Sequence, residues 1–396
     1  MQIFGIVTEY NPFHNGHLFQ INRIRDFGAT HIVSVMSGNY VQRGEPALFD
    51  KWTRAKAAVL SGVDLVIELP TPYGILTAEK FAFNSIYILN SLGCVDFLNF
   101  GSECGDIDLL KRCADAVVSP DLSNSLSIRL DSGLSFAKAR CDAVSECFDP
   151  SVAGALMSPN NILGVEYIKA LNRLGSAIKP QTLTRIGTAH DSNESCGYYA
   201  SASFLRNLNN LDKARRFMPE GAFSVYKEAE KALHGPIDFK KAEIAVLSKL
   251  RQMSKDDFLR LPDISEGLEN RIFAAVSKAK TLEQLYSLIK TKRYSHSRIR
   301  RIILAAYLSL YDAQSSRFPS YIRVLAANKR GLEIIKKAKS SCALPIDFSL
   351  LTLSKFSAVC RADAEFENMA TNLYTLMMPK ILSSGLEFTH EPIIIE

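Results

Sequence analysis

The sequence has no apolar run approaching the ~20 residues needed to cross a bilayer. No basic leader or small-residue cleavage site precedes the strand-like opening Met1-Gln2-Ile3-Phe4. Eight cysteines, at 94, 104, 113, 141, 147, 196, 342 and 360, form no CxxC pair and no His/Cys cluster at zinc spacing. That argues against a structural zinc and against a disulfide framework. Internal repeats and low-complexity linkers are also missing. The expectation is a cytoplasmic enzyme with reduced thiols and no metal held by its own side chains.

What is present is an ordinary globular composition of 396 residues, 47% hydrophobic and 22% charged, long enough for two or three domains. The charge is unevenly placed. Residues 1–200 carry 16 Lys and Arg against 20 Asp and Glu, a net −4, whereas residues 201–396 carry 31 against 21, a net +10. A basic half joined to an acidic half suits a polyanionic partner such as RNA, with solvated helix faces as the plainer explanation.

Apolar runs at 1–10, 30–38, 63–70 and 95–103 alternate with helical periodicity at 17–27, 50–61 and 77–92. This βα alternation predicts an α/β fold with a Rossmann-like parallel sheet, whose ligands bind beyond the carboxyl ends of the strands. After about residue 235 helical spacing dominates, at 241–252, 267–279, 281–290 and 297–312, with short strands at 321–331 and around Ala343-Leu344-Pro345-Ile346. The division expected is therefore 1–235 for the catalytic unit and 236–396 for a mainly helical unit.

The first strand runs into His14-Asn15-Gly16-His17. Two imidazoles where a strand ends and a helix begins make a phosphate-binding corner, because a helix N-terminus presents unpaired N–H groups and the positive end of its dipole. A turn with two surface histidines is the alternative. Gly16 lets the backbone turn where a side chain would clash. In 37–62, Arg43 beside Gly44 is placed to line the crevice and to hold a carboxylate or phosphate, while Lys51, Arg54 and Lys56 also fit a solvated helix face. Arg185, Gly187, His190 and Asp191 follow another strand end. Pro159-Asn160-Asn161 reads as a helix cap. Ser201-Ala202-Ser203 with Arg206 reads either as a serine-rich cap or as a phosphate grip. Finally, 290–301 holds Lys290, Lys292, Arg293, Arg298, Arg300 and Arg301 with no acid, around Tyr294 and His296. Phosphate neutralisation plus base stacking would suit single-stranded RNA; a solvated helix start is the competitor.

The HxGH pattern of residues 14–17 resembles the signature of the HIGH superfamily of nucleotidyltransferases, and Ser201-x-Ser203-x-x-Arg206 resembles its second signature, the SSTxxR form. Together with "GIVTEYNPFHNGH", "SGNYVQRGEPA", "GVDLVIELP", "FGSECGDI", "NNILGVEYIKAL" and "KRYSHSRIRR", these resemble the bacterial tRNA(Met) cytidine acetate ligase family over about the first 310 residues. The resemblance implies that ATP activates acetate as acetyl-adenylate, and that the acetyl group passes to N4 of the wobble cytidine of elongator tRNA(Met). It implies His14, His17 and Arg206 as catalytic residues. It places ATP against Val7, Thr8, Glu9, Tyr10, Asn11, Pro12, Phe13, His14, Asn15, Gly16, His17, Leu18, Phe19 and Gln20. Gly101, Asn161, Arg185, Ser201 and Ser203 complete that set, and Mg²⁺ is expected with the ATP phosphates. Arg43 and the basic residues of 290–301 are the expected RNA contacts. Two other readings remain: a small-molecule adenylyltransferase of coenzyme synthesis, and a non-catalytic RNA-binding protein on the same fold.

Overall fold

The computed structural model describes residues 1–134, 136–185, 195–208, 210–265 and 267–396. Gly187, His190 and Asp191 lie outside them. An eight-stranded sheet organises the chain. Its strands are β1 (Ile3–Thr8), β2 (His31–Ser37), β3 (Leu65–Leu69), β4 (Phe97–Ser102), β5 (Lys179–Thr184), β6 (Ile322–Asn328), β7 (Ile346–Asp347) and β8 (Ile393–Ile395). The order runs β7-β6-β3-β2-β1-β4-β5, with β8 also pairing β6. Strands β1 to β5 are parallel, whereas β6 lies antiparallel to β3. The order reverses at β1, so a crevice opens beyond the carboxyl ends of β1 and β4.

Strands β1 to β4 are largely apolar because both faces are covered, whereas the edge strand β5 is polar and only partly buried. Side chains alternate between two cores: Ile3, Val33, Val35, Leu65, Ile67 and Leu69 join one, and Phe4, Ile6, Ile32, Met36 and Val66 join the other. Helices Ala78–Ser91 and Pro159–Arg173 cover the first face, and Asn15–Asp26, Lys51–Leu60 and Glu220–Lys231 cover the second. A third core belongs to the helices Glu243–Gln252, Leu268–Lys278, Leu282–Ile289 and His296–Tyr307.

The division at 235/236 needs correcting. Residues beyond 320 do not stay with the helical unit: β6, β7 and β8 extend the N-terminal sheet. The reason is visible in the chemistry of β6, whose residues Ile322–Ala327 are all buried and hydrogen-bond to β3. Helix Ala358–Thr375 returns with them and brings Glu367 to Lys51, which also contacts Glu68 and Glu387, while Arg323 pairs with Glu387 and Glu68. All five side chains are buried. Lys51 and Arg54 are therefore not a solvated helix face. Arg54 donates from Nε to Phe49 O at 2.9 Å and from its terminal nitrogens to the carbonyls of Glu9, Ser37 and Gly38. Lys56 alone of the three is at the surface, paired with Glu228 at 3.2 Å.

Three carboxylates face two cations in this cluster, so one retained proton makes it neutral. Burial pushes Glu68 up to about 8 against the pull of Lys51, whereas burial of Glu387 is outweighed by Arg323 and Lys51, which hold it down at about 2. A raised carboxyl contributes stability in full below its unfolded value of 4.5. That contribution is lost as pH climbs toward 8, by about 1.4 kcal/mol per unit. Thermal melts of wild type and Glu68→Gln between pH 5 and 8 should therefore diverge, the variant showing the flatter dependence. Identical slopes would mean that Glu68 is ionised in the folded protein.

Candidate active site

β1 ends at Thr8, and the chain turns through Tyr10, at φ +46°, before His14 caps helix Asn15–Asp26. His14 Nδ1 accepts the Gly16 N–H at 3.0 Å, and His17 Nδ1 accepts the His14 N–H at 3.2 Å. The two rings stack with centroids 3.7 Å apart, and Tyr10 and Phe13 pack against His17 at 4.9 and 5.4 Å. Gly16 serves a purpose different from a tight turn. A Cβ there would lie 2.9 Å from His14 Cε1, in the space the imidazole occupies.

These contacts fix the protonation of both rings. With Nδ1 accepting from backbone, the single proton of each neutral imidazole sits on Nε2. Burial, aided by Arg185 and Arg206, holds His14 down at about 3; burial, His14 and Arg185 hold His17 well below its ordinary value. The site thus offers two uncharged Nε2–H donors, suited to oxygen atoms that gain negative charge.

The histidines line a cavity of about 430 Å³ in the crevice. Val7, Thr8, Glu9, Tyr10 and Asn11 enter it from the end of β1, Gln20 from the following helix, and Gly101 from the end of β4. Arg185, Ser201, Ser203 and Arg206 close another side, with Arg43 among them. An adjoining groove of about 90 Å³ shares the histidines and adds Gly16 and Phe19. Arg206 donates to Asn11 O at 2.9 Å and to Ser203 Oγ at 3.1 Å, and Arg43 donates to the same hydroxyl at 3.1 Å. Ser201 Oγ accepts the Phe204 N–H at 3.0 Å, so it caps helix Ala202–Asn207 as well as facing the cavity.

Five expected site residues lie elsewhere. Pro12 and Phe13 are buried, and Leu18 packs into the core beneath. Asn15 Nδ2 donates to the carbonyls of Tyr198 and Arg216. Asn161 Oδ1 accepts the N–H groups of Glu103 and Cys104 at 2.9 and 3.2 Å, which holds the loop after β4. In return the Glu103 carboxylate accepts the Asn160 and Asn161 N–H groups at the start of helix Pro159–Arg173. Sequence reasoning passed over Gln42, Asn160 and the apolar wall of Phe81, Phe100, Leu163 and Tyr167. Apolar residues at helical spacing look alike whether they face a core or a ligand; the adjacency of Phe100 to Gly101 was the one available signal.

A model of the HIGH Nucleotidyl Transferase family matches residues 1–387. The tRNA(Met) cytidine acetate ligase of Caldanaerobacter subterraneus subsp. tengcongensis is 38% identical over 405 residues, and that of Clostridium perfringens strain SM101 is 38% identical over 413, each comparison covering 100% of both chains. The chain belongs to the tRNA(Met) cytidine acetate ligase family. The crystal structure of Thermotoga maritima TmcAL without ligand is 30% identical, with a TM-score of 0.94, and its form bound with alpha-thio ATP gives 0.92 at 30%, again over 100% of both chains.

In this ligase-family chain the basic stretch divides into two groups. Lys290 Nζ donates to Tyr294 O at 2.7 Å, and Arg298 and Arg301 both pair with Asp263, at 3.3 and 3.2 Å. Tyr294 is buried in the helical core, so it cannot stack on a base; this corrects the expected aromatic contact. Lys292, Arg293, His296 and Arg300 face solvent. Arg43 lines the cavity, the place its position at a strand end predicts.

With His14 held at about 3 and His17 well below its ordinary value, neither ring takes up a proton as pH falls from 8 through 6.5, where histidines of the unfolded chain do. The stability of the neutral pair is therefore complete above 6.5 and is lost progressively as pH falls from there toward about 3 for His14. Nitrogen-15 imidazole spectra should show the Nε2–H tautomer at both rings from pH 8 to 5. A titration midpoint near 6.5 at either ring would contradict the assigned hydrogen bonds.

Proposed function

We propose that this protein activates acetate with ATP and acetylates N4 of the wobble cytidine of elongator tRNA(Met). The observation that carries the reading is the stacked, neutral histidine pair at the carboxyl end of β1, sharing one cavity with Arg185 and Arg206. In the first step an acetate oxygen bonds to the α-phosphorus of ATP, and the bridging oxygen departs with its electron pair as pyrophosphate. His14 and His17 donate to phosphate oxygens as charge builds there, and Arg206, with Ser201 and Ser203, takes up charge on the departing pyrophosphate. In the second step the cytidine amine bonds to the acetyl carbon, loses a proton, and AMP leaves with the electrons of the broken C–O bond.

Magnesium enters as part of the nucleotide substrate. Its charge is what a departing pyrophosphate calls for. Among the described residues no group of three or more His, Cys, Asp or Glu is arranged to hold a metal ion, and the ion would come with the nucleotide's phosphates. Neutral histidines suit this arrangement, since imidazolium groups would compete with the cation for the same oxygens.

The helical unit supplies the RNA surface through Lys292, Arg293 and Arg300. A small-molecule adenylyltransferase would have no use for this unit. No helix among the described residues is long and apolar enough to cross a membrane, and a tRNA substrate supports a cytoplasmic enzyme.

Two measurements test the proposal. With radiolabelled acetate, ATP and bulk tRNA, wild type should yield N4-acetylcytidine, and His17→Ala should slow acetate-dependent pyrophosphate release ~10²–10³-fold, the usual cost of one such donor. Pyrophosphate release at the wild-type rate would remove His17 from the first step. Neutralising Lys292, Arg293 and Arg300 together should lower the log–log salt slope of tRNA binding by about 0.7–0.9 per lost contact, while acetate activation without tRNA continues. An unchanged slope would move the RNA surface elsewhere.

A further inference from the structure

The turn at Gln42–Glu45, between the short paired strands Tyr40–Val41 and Glu45–Pro46, touches both halves of the machinery. Its backbone is pressed against helix His296–Tyr307: Gly44 sits at φ +79°, and a Cβ there would meet Arg301 N at 2.4 Å and Arg300 C at 2.6 Å. No other residue fits that position, on grounds of both conformation and space. On the opposite side, the Gln42 N–H donates to Glu9 at the end of β1, and Arg43 reaches Ser203.

Glu45 joins the two sides by charge. Its Oε1 lies 3.6 Å from Arg206 Nη2, inside the cavity, and its Oε2 lies 3.5 Å from Arg300 Nη1, on the exposed face of the helix. Both separations exceed the 2.7–2.9 Å typical of a tight charge-assisted hydrogen bond. A phosphate can therefore compete with Glu45 for each guanidinium, while Arg206 keeps its hydrogen bonds to Asn11 O and Ser203 Oγ.

We propose that Glu45 is a positioning residue that makes ATP and tRNA bind in sequence, and this rests on the reading that RNA docks on Arg300. ATP phosphates draw Arg206 toward the cavity, and Glu45 keeps Arg300. RNA phosphate draws Arg300 outward, and Glu45 keeps Arg206. With both ligands bound, Glu45 stands between two polyanions with both of its guanidinium partners diverted, so each ligand weakens the other. By linkage the factor is the same in both directions. Departure of pyrophosphate removes most of the charge drawing on Arg206, returns it to Glu45 and frees Arg300 for tRNA. The carboxylate thus favours activation first and RNA docking second.

The test measures the tRNA dissociation constant of the full chain at fixed salt, with and without saturating α,β-methylene ATP. For wild type the constant should rise about threefold with the analogue, the size expected of half-exposed ion pairs. In Glu45→Gln the ratio should fall toward one, while Glu45→Asp, which keeps the charge, should restore part of it. Analogue affinity measured on each variant shows that it is folded. A wild-type ratio of one, or the same ratio in Glu45→Gln, would overturn the coupling. Arg300→Gln separates the two readings: if it leaves tRNA affinity and its salt slope unchanged, the RNA surface itself is misplaced and the coupling falls with it. If Arg300→Gln weakens tRNA binding but Glu45→Gln leaves the ratio intact, only the coupling is wrong.

Discussion

The buried ammonium of Lys51, surrounded by the carboxyl groups of Glu68, Glu367 and Glu387, is the contact on which the placement of the loops around the cavity depends. An ion taken out of water is tolerable only when its partners come with it. Here those partners are scattered over more than 300 positions of sequence, so the cluster cannot form until the last helices have docked. Around it, Glu367 accepts the Thr71 N–H at 2.8 Å, and Asn39 bridges the Lys51 N–H and the Thr371 hydroxyl. Asn39 stands immediately before the turn that carries Arg43 and Glu45. The cavity therefore borrows its rigidity from the C-terminal segment, which contributes no side chain to its lining.

This explains why the parallel sheet was easy to read and its completion was not. β1 to β4 announce themselves as short, largely apolar runs between amphipathic helices. The return of β6 to the sheet is specified by contacts that local pattern does not contain: the pairing of Val324 with Ile67 and of Arg323 with Glu68. A charged residue in the middle of a strand reads as exposed. In this chain Arg323 is buried because its counter-charges, Glu68 and Glu387, arrive from two other elements.

The site shows the same asymmetry. The histidine pair was legible because four consecutive residues carry it. The reason for Gly16 was not, since the space it vacates is filled by a side chain folding back from two residues earlier. Arg298 and Arg301 looked equivalent to Arg300 in a run of basic residues. Helical geometry turns the first two toward Asp263 and the third toward Glu45 and solvent. Charge density along a sequence says how many cations there are, while the partners across the fold decide which are left for a ligand.

Among the helices that begin at the rim of the crevice are one after His14 and one at Pro159, and each would ordinarily attract an anion. Glu103 already occupies the second through the N–H groups of Asn160 and Asn161. A chain with both seats open would receive a triphosphate in either of two directions. By filling one seat with its own carboxylate, this fold removes that ambiguity before any anion arrives.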